Sequence, residues 1–245
     1  MIHRTGVLTH VRMNSELTQA KPTNPCDAQN AALDLLARAG QVLDRAGVEY
    51  SLCDGTLLGL IRNGDFIVGD NDIDLRVPRA ALNAALIGDM EQAGISWSKQ
   101  AFVENTLVNL SFRYKNIRLD LSGRVPLEFG PESRPESRGN PEGWETSHFR
   151  FRSGYLTSRL PYRGREKTQF GGVDTWRPCH SQDLLAHCYG ADWCQPVTRW
   201  DHFFNYGALV SLTGDAETLK LGLRRWLAAQ GHPAPPGWKR AKTPD

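Results

Sequence analysis

The 245-residue sequence has almost no excess of either charge, because 29 lysine and arginine residues accompany 27 aspartate and glutamate residues. The resulting net charge of +2 does not by itself indicate binding to nucleic acid. The sequence also lacks an apolar run long enough to span a bilayer, and residues 1–24 lack the continuous apolar core of a signal peptide. We therefore expect a cytoplasmic protein without a transmembrane segment, whose contact with a membrane would be peripheral and at its inner face.

Cysteine is scarce, and the five cysteines form no C-x-x-C pair. This favours a reducing compartment over a disulfide-stabilised scaffold. Cysteine and histidine nevertheless cluster in one stretch, at Cys179, His180, His187, Cys188 and Cys194. Because His187 and Cys188 are neighbours in a predicted helix, they point to different faces, and the spacing argues against zinc.

Asp70, Asp72 and Asp74 occupy alternate positions, with the apolar residues Ile73, Leu75 and Val77 between and after them, which is the two-residue period of a strand. Side chains on one face of a strand lie roughly 6.5 to 7 Å apart, so three like charges repel unless a cation lies between them. An EF-hand loop beginning at Asp70 would need glycine at its sixth position and glutamate at its twelfth, where the sequence has Leu75 and Ala81. A calcium loop of this type is therefore excluded, and a different divalent-ion site is predicted.

A glycine-led turn precedes the carboxylates. Gly55 and Thr56 come directly before the apolar segment 57–61, which predicts a helix N-terminus with free backbone donors and a hydroxyl group. Such a turn can bind phosphate. A phosphate-binding turn followed by a carboxylate strand indicates metal-assisted phosphoryl chemistry.

The stretch DGTLLGLIRNGDFIVGDNDIDL, from Asp54 to Leu75, resembles the signature of the LicD and fukutin-like proteins of the nucleotidyltransferase superfamily. The elements G-T-L-L-G, Arg62, a following glycine, F-I and the alternating aspartates occur in that family's order and spacing. A second match lies downstream, with D-L-L at 183–185, Y-G at 189–190 and D-W at 192–193. Gly69 stands where the family usually has tryptophan, and Asn71 replaces the middle aspartate.

The resemblance implies an α/β (α+β) fold, with a nucleotidyltransferase-like mixed β-sheet flanked by helices and a helical C-terminal region. Alternation of apolar and polar residues over 108–121 predicts a hairpin that turns at residues 115–116 and puts Asp120 on a polar face. Taken alone, such an aspartate is more often solvated than catalytic. It lies, however, where the family's third catalytic carboxylate would fall.

The resemblance also implies a reaction. Proteins of this kind transfer a phosphorylated small alcohol, phosphocholine or a phospho-alditol such as ribitol phosphate, from a CDP-linked donor to a hydroxyl group of a cell-surface glycan or glycolipid. We expect Mg²⁺ or Mn²⁺ to be the cofactor and no nucleic acid to bind. The expected catalytic and metal-binding residues are Asp72, Asp74 and Asp120, and the expected substrate-binding residues are Gly55, Thr56, Arg62 and Asp70.

Alternatives remain at this point. The protein could transfer a nucleotide from a nucleoside triphosphate, act as an inactive binding scaffold, or be a glycosyltransferase with an Asp-x-Asp metal site. Arg62 could stabilise the leaving nucleotide or form a salt bridge with Asp65 or Asp70. The six basic residues between 148 and 167 could grip phosphates or form a solvated face.

The predicted organisation has one catalytic core. The sequence predicts helices over 27–46, 80–93 and 218–229. The family resemblance implies a further helix over 183–189. We expect a flexible arm at 1–24, a nucleotidyltransferase-like core at 25–127, a flexible insertion rich in proline and glutamate at 128–147, the C-terminal part of the same domain at 148–230 and a flexible tail at 231–245.

Overall fold

A computed structural model describes residues 25–103, 105–126, 143–151, 154–196 and 209–214. The predicted N-terminal arm, most of the predicted insertion, the predicted helix at 218–229 and the predicted tail lie outside these residues. The elements in chain order are α1 (Pro25–Arg45), β1 (Ser51–Leu52), α2 (Asp54–Asn63), β2 (Asp72–Pro78), α3 (Ala84–Gln92), β3 (Ser96–Val103), β4 (Thr106–Tyr114), β5 (Ile117–Pro126), β6 (Gly143–Phe151), β7 (Gly154–Tyr162), β8 (Arg165–Phe170), β9 (Val173–Pro178), α4 (Ser181–Tyr189) and β10 (Leu209–Gly214).

The first helix confirms the helical spacing read from the sequence. Its apolar stripe is buried, with Leu35, Leu36 and Leu43 at 1% exposure or less. Gly47 follows the helix with φ +65, the left-handed conformation that glycine adopts without steric cost. The chain can therefore turn sharply into β1.

The central sheet is mixed, as expected. β2 runs parallel to β5, whereas β1 pairs antiparallel with β2 on its outer side, and β4 and β3 follow β5 as antiparallel neighbours. The C-terminal end of β5 also pairs with β6, from which β7 and β10 extend the same sheet to eight strands. The α/β fold with a mixed sheet flanked by helices is confirmed.

The two faces of this sheet differ in chemistry. Residues such as Ile73, Leu75, Leu119 and Leu121 are fully buried in the hydrophobic core that α1 shares. Because side chains alternate along a strand, Asp72, Asp74 and Asp120 lie on the opposite face.

The hairpin predicted at residues 115–116 forms between β4 and β5, with Lys115 in a left-handed turn conformation at φ +52. The helix predicted over 80–93 differs, because a short 3-10 turn at Arg79–Ala81 precedes α3. Asn83 is extended, and its side chain accepts a hydrogen bond from Leu86 N–H at 3.0 Å. This N-cap starts the helix at Ala84.

The C-terminal half contains more strand than the sequence indicated. α4 forms where a helix was predicted, but β6 to β9 were not predicted, and β6 begins at Gly143, inside the segment expected to be an insertion. β6 also pairs with β5, which is distant in sequence, and pairing of this kind leaves little signal in local composition. No helix in the described part of the chain is both long and apolar enough to cross a membrane.

Candidate metal and phosphate site

Carboxylates from two strands meet on the polar face of the sheet. In the parallel register of β2 and β5, Asp74 is opposite Asp120 and Asp72 is opposite Arg118. One carboxylate oxygen from each of Asp72, Asp74 and Asp120 lies within 4.8 Å of the others, and all three residues are partly buried. Hard oxygen ligands at this separation suit Mg²⁺ or Mn²⁺. The structure thus brings together the residues expected to hold a metal ion.

The N-terminus of α2 lies against this carboxylate group. The Thr56 hydroxyl oxygen accepts a hydrogen bond from the backbone N–H of Asp74 at 2.9 Å, and the Asp74 carbonyl accepts one from Cys53 N–H at 3.1 Å. The backbone N–H of Gly55 donates to the Asp74 carboxylate. Thr56 is 2% exposed, so its hydroxyl group holds β2 in place. The phosphate-binding role of Gly55 and Thr56 stays a prediction.

Asp70 reaches the same place from a turn. Its expected place in the strand was wrong, because β2 begins at Asp72. Asp70 N–H donates to the Ile67 carbonyl at 3.0 Å, and Gly69 within this turn has φ +87, which interrupts the extended chain. Asp70 Oδ2 nevertheless lies 2.9 Å from the position that a Cβ atom on Gly55 would occupy. A side chain at position 55 would therefore displace the Asp70 carboxylate.

Crowding of these carboxylates changes their acidity. Burial raises the pKa of Asp74 well above 3.8, and the negative charges of Asp54, Asp120 and Asp70 raise it further, against the opposing effect of the Gly55 N–H. Burial also raises the pKa of Asp70, although its hydrogen bond from Asn71 N–H and the charge of Arg118 oppose this. Their surroundings therefore leave the negative charges of Asp70 and Asp74 only partly stabilised, and a bound cation would lower both pKa values.

Two partners of the carboxylates were missed in the sequence. Arg118 Nη2 pairs with Asp72 Oδ2, and Arg118 Nε lies 2.9 Å from Asp120 Oδ2. The fully buried Ser111 donates its hydroxyl hydrogen to Asp120 Oδ1. Both residues alternate with apolar neighbours in the predicted hairpin, so the sequence pattern already placed them on its polar face. The strand register, which puts Ser111 opposite Asp120, was needed to recognise that these residues contact the carboxylates.

Asp54 is a further acidic residue that was not assigned a role. It begins α2 with φ +44, a conformation that is uncommon outside glycine, and backbone strain of this kind concentrates at functional sites. Its Oδ2 lies 3.5 Å from Nη2 of the buried Arg76. Burial and then the charge of Asp54 raise the pKa of Tyr189 well above 10.0. The end of α4 therefore lies close to the start of α2, so the two separated sequence matches converge in space.

The family model of the nucleotidyltransferase domain of LicD/FKTN/FKRP matches residues 47–180, more than half of the chain. The chain belongs to the LicD/FKTN/FKRP family. The matched range includes the carboxylates of β2 and Asp120, so the resemblance seen in the sequence is confirmed.

Curated relatives of this LicD-family chain include the ribitol-5-phosphate transferase FKTN of Mus musculus, which is 28% identical over 190 residues, covering 76% of this chain and 38% of that protein. The Homo sapiens protein of the same name is 27% identical over 175 residues, covering 71% of this chain and 35% of that protein. The chain therefore spans little more than a third of the length of these relatives.

Similar solved structures include the antibiotic-resistance factor ANT(2'')-Ia in solution, with a TM-score of 0.43 and 15% identity, covering 83% of this chain and 96% of that one. A crystal structure of ANT(2'')-Ia in complex with adenylyl-2''-tobramycin has a TM-score of 0.38 and 14% identity, covering 81% and 94%.

Arg62, part of the LicD-family signature, lies away from the carboxylates. It is in the last turn of α2, seven residues after Gly55 and so roughly 10 Å further along the helix axis. Its Nε donates to Asn63 Oδ1 at 2.9 Å. Within the described residues it forms no salt bridge with Asp65 or Asp70, and Asp65 accepts hydrogen bonds from Gln29 at 2.7 and 2.8 Å instead.

The basic residues of this LicD-family chain between 148 and 167 are described only in part. Arg163 Nη1 lies 3.1 Å from Asp183 Oδ2 on α4. The Arg165 guanidinium donates to the Tyr50 carbonyl at 2.9 Å, and its Cζ is 4.0 Å from the ring centre of Trp176. These two arginines therefore connect the β8–β9 hairpin and the segment before it to the core. The other arginines have side chains outside the described set.

Proposed function

We propose that this protein is a metal-dependent phosphotransferase that moves a phosphorylated small alcohol from a CDP-linked donor to a hydroxyl group of a cell-surface glycan. The observation that carries the proposal is the convergence of Asp72, Asp74 and Asp120, from two strands, beside the N-terminus of α2. The name of the curated relatives, ribitol-5-phosphate transferase, supports phospho-alditol transfer and favours ribitol phosphate as the group to test first.

The residues present fit a divalent cation. Three carboxylate oxygens within 4.8 Å form a set of hard ligands on one side. A Cβ atom on Gly55 would lie 2.9 Å from Asp70 Oδ2 and 3.5 Å from Asp74 Oδ2, so the glycine keeps this space open. A bound Mg²⁺ or Mn²⁺ would neutralise charge on the transferred phosphate and make an adjacent hydroxyl group more acidic.

The chain's own residues then have distinct tasks. Asp72, Asp74 and Asp120 would hold the cation. Asp120 would also accept the proton of the acceptor hydroxyl group, while Ser111 keeps its carboxylate oriented. The N-terminal end of α2 would direct the positive end of its dipole toward the donor phosphates. The acceptor oxygen attacks the phosphorus that carries the alcohol, and CMP leaves.

Product analysis tests this proposal. Purified protein with Mg²⁺ and a hydroxyl-bearing glycan acceptor would be incubated with CDP-ribitol, CDP-glycerol, CDP-choline or each of the four nucleoside triphosphates, and CMP and pyrophosphate would be measured. We expect CMP from a CDP-linked alcohol and no pyrophosphate. Pyrophosphate without CMP would instead indicate nucleotide transfer, and neither product from any donor would favour a binding scaffold.

A further inference from the structure

The guanidinium group of Arg118 lies between two of the carboxylates assigned to the metal. Nη2 pairs with Asp72 Oδ2, and Nε is 2.9 Å from Asp120 Oδ2. The strand register explains this, because Arg118 is opposite Asp72 on the parallel neighbour and two residues before Asp120 on its own strand. All three side chains therefore share one face, and the carboxylates already have a cation supplied by the chain.

We propose that Arg118 is an internal counter-ion, which a divalent metal ion displaces from Asp72 and Asp120, and that the displaced guanidinium then pairs with the diphosphate of the donor. This inference rests on the proposed function, because it requires a metal at the carboxylate group and a donor that carries phosphate.

Charge makes the two cations exclude each other. A guanidinium group has only hydrogen-bond donors and cannot ligate a metal. A metal ion bound at Asp72 Oδ2 and Asp120 Oδ2 would therefore compete with the arginine for these oxygens and repel its positive charge. The side chains of Asp72 and Asp120 are each 16% exposed, which limits the ability of water to screen the repulsion between the two cations.

The geometry of Arg118 allows it to leave. Its side chain is 35% exposed, so a path to solvent exists. Its Nε lies 2.9 Å from Asp120 Oδ2 but finds no well-aligned hydrogen-bond acceptor among the described residues, so this ion pair is poorly aligned. Asp120 keeps its hydrogen bond from Ser111 when the arginine departs. The released planar group would match two phosphate oxygens at once.

Metal affinity measured without donor is the first test. Mn²⁺ binding would be followed by electron paramagnetic resonance for the wild type, Arg118→Gln, Arg118→Lys and the control Arg113→Gln. Arg113 is opposite Arg118 in the β4–β5 register and is exposed, so its substitution removes the same charge nearby without touching Asp72 or Asp120. We expect Arg118→Gln to bind Mn²⁺ about threefold to tenfold more tightly than Arg113→Gln, the size of effect of a partly exposed ion pair. Arg118→Lys should fall between Arg118→Gln and the wild type.

Donor affinity is the second test and should change in the opposite direction. With Mn²⁺ saturating, binding of CDP measured by calorimetry should weaken roughly tenfold or more in Arg118→Gln, since a charge-assisted hydrogen bond to phosphate is lost. Arg113→Gln should remain within about twofold of the wild type.

A measurement on the unmutated protein guards against a folding defect in the variants. Addition of diamagnetic Mg²⁺ should shift the side-chain Nε–H resonance of Arg118 in a ¹⁵N-labelled sample, with Arg113 unchanged. The inference is overturned if the Arg118 resonance does not move, if Arg118→Gln and Arg113→Gln bind Mn²⁺ equally, or if CDP affinity is unaffected. A wild type that binds neither Mn²⁺ nor CDP would overturn the proposed function as well. A wild type that binds both but transfers no phosphorylated alcohol would contradict the proposed function and leave the role of Arg118 intact.

Discussion

Asp74 on β2 is paired with Asp120 on the parallel strand β5, so two carboxylates from segments 46 residues apart in sequence face the same space. Strand neighbours in a sheet lie about 4.8 Å apart, which is close enough for both to ligate one ion. The chemistry of the site depends on this register, because a shift of one residue would turn Asp120 into the hydrophobic core.

Asp120→Asn should reduce CMP release from the CDP-linked donor by roughly 10²- to 10⁴-fold, because the amide cannot accept the proton of the acceptor hydroxyl group. Circular dichroism should show an unchanged fold, since the amide oxygen can still accept the hydrogen bond from Ser111. Asp89→Asn, at an exposed position on α3, is the matched control and should retain full activity. Activity of Asp120→Asn close to that of the control would contradict the role given to Asp120.

Asp74→Asn should make the metal-free protein more stable and abolish its stabilisation by Mn²⁺. Because burial and neighbouring charges raise the pKa of Asp74, ionisation at neutral pH destabilises the folded state more than the unfolded one. Each kcal/mol recovered would raise the melting temperature by roughly 2 to 4 °C. In EDTA, the difference in melting temperature between the variant and the wild type should shrink as the pH falls from the raised pKa toward 3.8. Thermal unfolding between pH 7 and pH 4 would measure this difference.

Glu49→Gln should destabilise the protein, and the pH dependence of this effect should be opposite in sign to that expected for Asp74→Asn. Burial raises the pKa of Glu49, but hydrogen bonds from Tyr162 and Arg124 outweigh it, and the net shift is downward from 4.5. Glu49 therefore contributes stability that is fully present above pH 4.5 and is lost as the pH falls through its lowered pKa. Melting temperatures of wild type and Glu49→Gln should differ at pH 7 and converge in acid. A difference that does not decrease as the pH falls below 4.5 would exclude this explanation.

Gly55→Ala should impair metal binding while the fold persists. The added methyl group would lie 2.9 Å from Asp70 Oδ2, and this carboxylate is at the end of a side chain that can move away. We expect Mn²⁺ affinity to fall and the melting temperature to change by a few degrees at most. Gly88→Ala on α3 is the control, since nothing lies within 4 Å of its added carbon, and it should bind Mn²⁺ as the wild type does. Equal affinity in both variants would show that Gly55 does not keep the site open.

The local sequence predicted those helices and strands whose residue spacing shows the period of a single element. The spacing of Leu35, Leu36 and Leu43 predicted α1, and alternation around Asp120 predicted β5 and its polar face. Asp70 shows the limit of this reasoning, because the pattern that placed it in a strand takes no account of the turn at Gly69. The substrate role of Arg62 was implied by the family resemblance and stays a prediction, and the structure adds that this residue lies in the last turn of α2.

The sequence by itself determined which residues are acidic, which faces of the strands are apolar and which family the motifs resemble, because these depend on residue type and short-range period. Only the tertiary structure decided that Asp120 meets Asp72 and Asp74, that Arg118 lies between them and that β6 begins at Gly143. Strand pairing decides such contacts, and its energy comes from neighbours distant in sequence, so no local pattern records which strands become adjacent.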